Sequence, residues 1–377
     1  MNFSKLEKYL SGLSAHGIPA CDIMVMKDHK LLYRTMAGCS DYEGTVPVSD
    51  KDLYNIYSNT KLFTVVATMQ LIEQGKLSLE DKLCDYIPAF KDMTFKTRKG
   101  IEKATTPITI YHLLTMTSGL GYDAAPAINK VVAETNNEAS TNDIIKALAE
   151  EPLLFNPGER WKYGRSHDVL GAVIEVVSGM KFGDYLKKYI MDPLGMKHTT
   201  FNFKDAYVTE HLSAFYDYDS RNEKAIAREK INSNMSNNSE CGGQGLYSCT
   251  DDYILLVDAL ANGGVGKTGE RILSEESIEK IKEPQLDLLK QSQFILSHFK
   301  KGYSYGLGVR TLIDKGYGAR TPLGEFAWDG MTGGYGLVDT ENHIAICYMQ
   351  NVSGCSYAWH NVFPETRDMI YDILGIE

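Results

Sequence analysis

The chain has 377 residues, 43% of them hydrophobic and 23% charged, with a formal net charge of −10. This is the balance of a soluble globular protein, long enough for one large or two ordinary cores. The acidic surplus argues against nucleic acid or an anionic membrane as partner, and no apolar run approaches the ~18 residues of a membrane span.

The seven cysteines (Cys21, Cys39, Cys84, Cys241, Cys249, Cys347 and Cys355) are odd in number and scattered, with no C-x-x-C. They read as thiols in a reducing compartment. The first ten residues carry alternating charges rather than a basic segment followed by an apolar one, so a cytoplasmic location is expected.

In chain order, residues 3–15 form an amphipathic helix with Leu6, Tyr9, Leu10 and Leu13 on one face. Residues 21–26 and 31–36 read as two strands of a hairpin. Next comes the stretch Tyr54-Asn55-Ile56-Tyr57-Ser58-Asn59-Thr60-Lys61, running into an apolar segment of helical period that Gly75 stops. Helices follow at 108–116, 144–149, 169–177 and 182–190. Residues 202–240 are polar and weakly periodic, reading as long loops with some strand. Further helices are expected at 251–261, 274–282 and 286–298, and strands at 306–312, 326–331, 335–339 and 344–350. A last helix begins at Pro364, a favoured first helical residue. Sheet, helices, sheet and closing helix give an α/β layer made of both chain ends, with a helical region inserted between them.

Ser58 and Lys61 lie one turn apart at a helix mouth and share a face. A serine hydroxyl needs a base, and a lysine serves as one only if it is kept neutral, which the apolar Ile56, Leu62 and Phe63 favour. The helix start also offers N–H groups to an oxyanion. Alone, such a pair is usually a capping serine and a solvated lysine. A second stretch, residues 155–171, brings Trp161-Lys162-Tyr163 out of a Pro157-Gly158 turn just before a helix. A tyrosine there, near a lysine cation, is expected to have a lowered pKa and to act as general base or proton shuttle. Alone it reads as a packing residue. A third, Phe326 to Asp339, is glycine-rich and suits a strand that a ligand approaches closely.

Three decoys are set aside. Gly263-Gly264-Val265-Gly266-Lys267-Thr268 lacks the first glycine of a phosphate loop and follows a helix. Ser166-His167-Asp168 spells a triad, but adjacent helical residues point ~100° apart and cannot converge. The nine histidines show no metal-ligand spacing, so neither metal nor other cofactor is expected.

Taken in order, these stretches resemble the serine β-lactamase-like hydrolases, in the branch that holds class C β-lactamases and family VIII carboxylesterases. The residues that carry the resemblance are Ser58-Asn59-Thr60-Lys61, His112 to Leu120, Pro157-Gly158, Tyr163 and Asp168-Val169-Leu170-Gly171. Further on, Asp192 to Met196, Gly243 to Ser248, Tyr305 to Gly308 and Trp328-Asp329-Gly330 continue it. The resemblance implies an α/β (α+β) β-lactamase/transpeptidase-like fold, with a sheet domain of residues 1–65 and 235–377, a mainly helical domain of 66–234, and the site at their interface. It implies Ser58 as acylating nucleophile and Lys61 and Tyr163 as the proton-handling pair. The N–H groups of Ser58 and Met331 would form the oxyanion hole, and Tyr122, Arg165, Trp328, Asp329 and Gly330 would meet the substrate. Lys267-Thr268-Gly269 spells the lactamase third motif, but it stands between helices.

Two departures stand out. Gly164-Arg165 follows the tyrosine where lactamases usually have Ser-Asn, and Asp329 occupies the middle of the third motif. They either pair with each other in the cleft wall or, at Asp329, select against anionic acids. No lysine–threonine pair stands in the third motif to meet a substrate carboxylate. The expected function is therefore a carboxylesterase on small neutral esters, forming an acyl-enzyme on Ser58. A D-amino-acid amidase or peptidase, or a weak β-lactamase, is the alternative within the enzymes, and a catalytically decayed binding protein the alternative outside them.

Overall fold

Residues 1–298 and 300–376 are described in a computed structural model. The expected strands become a seven-stranded antiparallel sheet. In chain order they are β1 (Ala20–Lys27), β2 (Lys30–Gly38), β3 (Tyr303–Tyr305), β4 (Arg310–Leu312), β5 (Phe326–Ala327), β6 (Tyr335–Asp339) and β7 (Ile344–Met349). Their order across the sheet is β2-β1-β7-β6-β5-β4-β3, so the two chain ends meet where β1 pairs with β7, Ile23 opposite Tyr348.

The period of two in the sequence sorts each strand between two cores. Ile23, Val25, Ile344 and Ile346 face a core that includes Leu6 and Leu10 of helix α1 (Ser4–Ser11) and Ile370 of the closing helix (Phe363–Leu374). Met24, Met26, Ala345 and Cys347 face the other way, into the core shared with the central helices. A Cβ at Gly336 would stand 3.2 Å from the Tyr253 ring, so a side chain at that point of β6 would press on the helix Thr250–Ala261 packed against this face.

Helix α2 (Thr60–Glu73) is buried from Thr60 to Leu71, on every side rather than on one face. Its hydroxyls are satisfied within the protein: Thr64 Oγ1 donates to Gly242 O at 2.6 Å and Thr68 Oγ1 to Thr64 O at 2.7 Å. Lys61 therefore stands in the first turn of a helix that offers it no water.

Three expectations change in detail. The strand expected at 306–312 is strand only at its end, β4, while β3 lies just before it; between them Gly306 N–H donates to Val309 O at 2.9 Å and Gly308 takes φ +84°, closing a tight turn. The strand at 326–331 keeps ladder pairing only at Phe326–Ala327, and its remainder bends toward the site. Within 202–240 lies a hairpin, Phe215–Asp219 against Lys224–Arg228. A helix at Pro126–Glu134 and a hairpin of Thr94–Thr97 with Gly100–Lys103 went unanticipated. Among the described residues no helix is long and apolar enough to cross a membrane, and all seven cysteines are free thiols.

Candidate active site

Ser58 lies in a single 3₁₀ turn, Tyr57–Asn59, that leads directly into α2. Tyr57 holds φ +42°, an uncommon conformation for a bulky residue and a local strain that its neighbours must maintain. Lys61 Nζ lies 3.1 Å from Ser58 Oγ, and it donates to Gly243 O at 2.7 Å and to Tyr122 OH at 3.3 Å. The lysine is wholly buried. Burial pulls its pKa from 10.5 to about 7, against the opposing pull of the Asp168 carboxylate. Asp168, itself buried, is held in place by the Gly243 N–H at 2.8 Å.

Tyr163 reaches the same serine from the start of helix α3 (Ser166–Ser178). Gly164 permits this approach, because a Cβ there would stand 1.9 Å from Leu120 O. The Tyr163 hydroxyl faces the same cavity as Ser58 and accepts the Trp328 Nε1–H at 2.9 Å. Lys61 Nζ lies 4.6 Å from the centre of its ring. The expected lowering of the Tyr163 pKa is not found. Burial raises it above the ordinary phenol value, and the Ser58 and Trp328 side chains only partly oppose that rise. Tyr163 is thus a phenol that can pass a proton, while the group near neutrality is Lys61.

The third stretch closes the site from the sheet. Gly330 has no room for a side chain: a Cβ would meet Ile56 O at 2.6 Å, so this segment lies directly against the Ser58 turn. Trp359 Nε1 donates to Gly330 O at 3.1 Å. Between them lies a cavity of about 400 Å³ lined by Ser58, Tyr163, His298, Trp328, Met331 and Trp359, among others. His298 packs on Tyr163, Trp161 and Trp328 at ring separations of 5.1–5.4 Å, and burial lowers its pKa to about 4, so it is a neutral wall.

With this geometry in place, the comparisons fit it. The Beta-lactamase family model matches residues 6–356. The chain belongs to the beta-lactamase family. Members with this fold are serine hydrolases. Protein Rv1367c of Mycobacterium tuberculosis (strain ATCC 25618 / H37Rv) is 29% identical over 344 residues, covering 86% of this chain and 84% of that protein. A protein named putative D-alanyl-D-alanine carboxypeptidase, from Escherichia coli (strain K12), is 25% identical over 375 residues, covering 92% and 82%. The solved structure of "EstCE1, a hydrolase with promiscuous acyltransferase activity" superposes with a TM-score of 0.80, covers 98% of both chains and is 22% identical, a likeness of fold.

In this beta-lactamase family member the two unusual charges do not pair with each other. Asp329 Oδ1 is held by Arg310 Nη1 at 2.6 Å and Oδ2 by Lys300 Nζ at 2.8 Å, which keeps the carboxyl below its ordinary pKa despite burial. Arg165 instead lies against Tyr122, with Cζ 5.4 Å from the ring centre, and Met235, with Nη1 3.6 Å from Sδ. The third motif itself carries no lysine, but Lys300 arrives beside it from another part of the chain and pairs with Asp329. Tyr122 was expected to meet substrate; its hydroxyl turns inward to Lys61.

Sequence reasoning missed Asp168, His298, Lys300 and Trp359. One signal was available: the chain has three tryptophans, and Trp161, Trp328 and Trp359 all stand at this site. The decoys stay decoys. Ser166 Oγ pairs with Ser118 Oγ at 2.9 Å, burial keeps His167 neutral, and Thr268 Oγ1 donates to Pro193 O on an exposed turn.

Proposed function

We propose that this beta-lactamase family member is a carboxylesterase working through an acyl-enzyme on Ser58. Neutral Lys61 accepts the Ser58 proton as Oγ attacks the ester carbonyl, and the N–H groups of Ser58 and Met331 hold the oxyanion. The Tyr163 phenol relays a proton to the departing alkoxide, and the Trp328 indole N–H fixes the orientation of its oxygen. Water then enters by the reverse proton path and releases the acid. The observation that carries this reading is the wholly buried lysine, near neutrality, 3.1 Å from Ser58 Oγ.

The cavity supports an ester rather than a β-lactam. Its exposed surface is mostly apolar, with Tyr163, Trp328 and Trp359 among its walls, and Lys300, the one ammonium there among the cavity-lining residues, is engaged by Asp329. The part of the substrate that enters it is therefore small, neutral and apolar. Amide hydrolysis, as in a D-amino-acid amidase or peptidase, is a second reading, favoured by the 25% identity to the protein named putative D-alanyl-D-alanine carboxypeptidase. We place the site at the seam between residues 1–65 with 235–377 and residues 66–234. The free thiols suit a reducing compartment such as the cytoplasm.

The test is a fluorophosphonate probe followed by a panel of p-nitrophenyl esters, p-nitroanilides and a chromogenic cephalosporin. Labelling at Ser58 with ester turnover foremost is expected. A protein that neither labels nor hydrolyses is a binding protein, and the proposal fails.

A further inference from the structure

Arg165 is a cation without a counter-charge. Its guanidinium lies against the Met235 thioether and the Tyr122 ring, and its Nε is buried with no hydrogen-bond partner. Among the described residues no carboxylate comes within ion-pair distance of it. Asp168 is near enough to feel its charge, but binds the Gly243 N–H. The cations on the opposite wall are all engaged: Lys300 and Arg310 by Asp329, and Arg367 by Asp368. A guanidinium offers five donors in a plane; here Nε is buried unmet, which is costly, and the half-buried group has no anion to meet the rest. Packing alone would be served as well by a methionine or leucine.

Its position relates it to the reaction. Tyr122, under the guanidinium, places its hydroxyl 3.3 Å from Lys61 Nζ, so Arg165 stands one aromatic ring away from the Ser58–Lys61 pair. Neither Arg165 nor Tyr122 lines the aromatic cavity; both stand beyond Lys61 and Tyr163 from it. Tyr122 is 39% exposed, so this face is open to solvent and to a ligand.

We propose that Arg165 anchors an anionic group, in the simplest case a carboxylate, on the half of the substrate that lies outside the aromatic cavity. This rests on the hydrolase reading and narrows it: the substrate is an ester neutral at one end and anionic at the other. A carboxylate suits the planar fork through two parallel N–H···O bonds. Arg165 acts by binding, so its contribution falls on KM more than on kcat.

Two matched pairs of esters test this. 4-Acetoxybenzoate and its methyl ester place the charge on the leaving group; p-nitrophenyl hydrogen glutarate and p-nitrophenyl pentanoate place it on the acyl group. One anionic member is expected to exceed its neutral partner in kcat/KM. Arg165→Met, which keeps the apolar stem over Tyr122, should remove that advantage, about 10- to 100-fold and mainly through KM. Arg165→Lys should restore part of it, and in each variant the neutral ester should lose less than its anionic partner. Loss of turnover on both members of a pair in Arg165→Met makes the residue structural and overturns the proposal, as does the absence of any anionic preference. If the wild-type protein hydrolyses no ester and does not label at Ser58, it is the hydrolase reading that has failed. Calorimetric binding of 4-hydroxybenzoate and glutarate then decides on Arg165 alone: binding of either that is lost in Arg165→Met upholds the anchor, and no binding of both refutes it.

Discussion

Replacing Lys61 with methionine separates the cost of a buried lysine from its use. In the unfolded chain the ammonium has a pKa of 10.5, and in the folded protein burial brings it to about 7. Between these values the unfolded chain holds a proton that the folded protein has given up, so the stability of the wild type rises with pH across that window. The contribution is complete above 10.5, falls as the pH is lowered, and reaches its floor just below 7. The slope is ~1.4 kcal/mol per pH unit and the whole span is about 5 kcal/mol, an order-of-magnitude figure. Lys61→Met removes this dependence, along with the bonds to Gly243 O and Tyr122 OH, whose loss does not vary with pH at this position. The difference in unfolding free energy between wild type and variant, from urea titrations at pH 6, 7, 8 and 9, should therefore be flat below 7. It should then turn in favour of the wild type by about 3 kcal/mol by pH 9. The kcat/KM of the wild type on a neutral aryl ester should rise through the same pH and level off, since only the free amine takes the Ser58 proton. A difference that does not vary with pH, together with an activity inflection near 10, would mean that Lys61 is an ordinary ammonium, and the mechanism built on it would fall.

Ser58→Ala should abolish ester hydrolysis by several orders of magnitude, and the wild type should show an acyl adduct on Ser58 by mass spectrometry; residual activity within tenfold of wild type counts against the nucleophile. Lys61→Ala and Tyr163→Phe should each cripple acylation, and the double variant should be little worse than either, as for groups that act as one unit. Losses that simply multiply would show the two working independently. Asp329→Asn should destabilise the protein by about 3–5 kcal/mol in urea titration, because buried Arg310 and Lys300 lose the charge that holds both. Adding Arg165→Asn should give no rescue, since Arg165 and Asp329 do not touch; a restored midpoint would contradict the geometry.

That Ser58, Lys61 and Tyr163 come together was legible because they are close in sequence or tied to turn chemistry. Ser58 and Lys61 share a helix turn, and Tyr163 follows a Pro-Gly turn that fixes its approach. The sheet was legible for a similar reason, since the period of two in residues 20–27 and 344–349 separates two cores that the structure does contain. Local pattern says little about which distant segments meet. Lys300 and His298 stand at the end of a helix whose sequence shows a polar face and an apolar one with Phe294, and nothing in it points to Trp328. The Arg165–Asp329 pairing failed in the same way. Both residues were expected to border one cleft, but only Asp329 lines the cavity beside Ser58, and Arg310, inside a short strand that reads as plain sheet, takes its carboxylate.

The tyrosine pKa exposes a further limit. From sequence, a lysine near Tyr163 suggests a cation that draws the phenol toward ionisation. Two facts of the folded site reverse this. Burial penalises the phenolate and the ammonium alike, and the lysine responds by moving toward neutrality, which removes the charge that was to stabilise the phenolate. In the proposed mechanism, desolvation thus decides which member of the pair serves as base. Lys61 can do so because α2 is buried on every side at its first turn, and Tyr163 would keep its proton until the alkoxide needs it. The same burial that makes this stretch a core helix brings its lysine toward neutrality. A substitution that let water into the first turn of α2, such as Leu62→Ser, would weaken the base as well as the core.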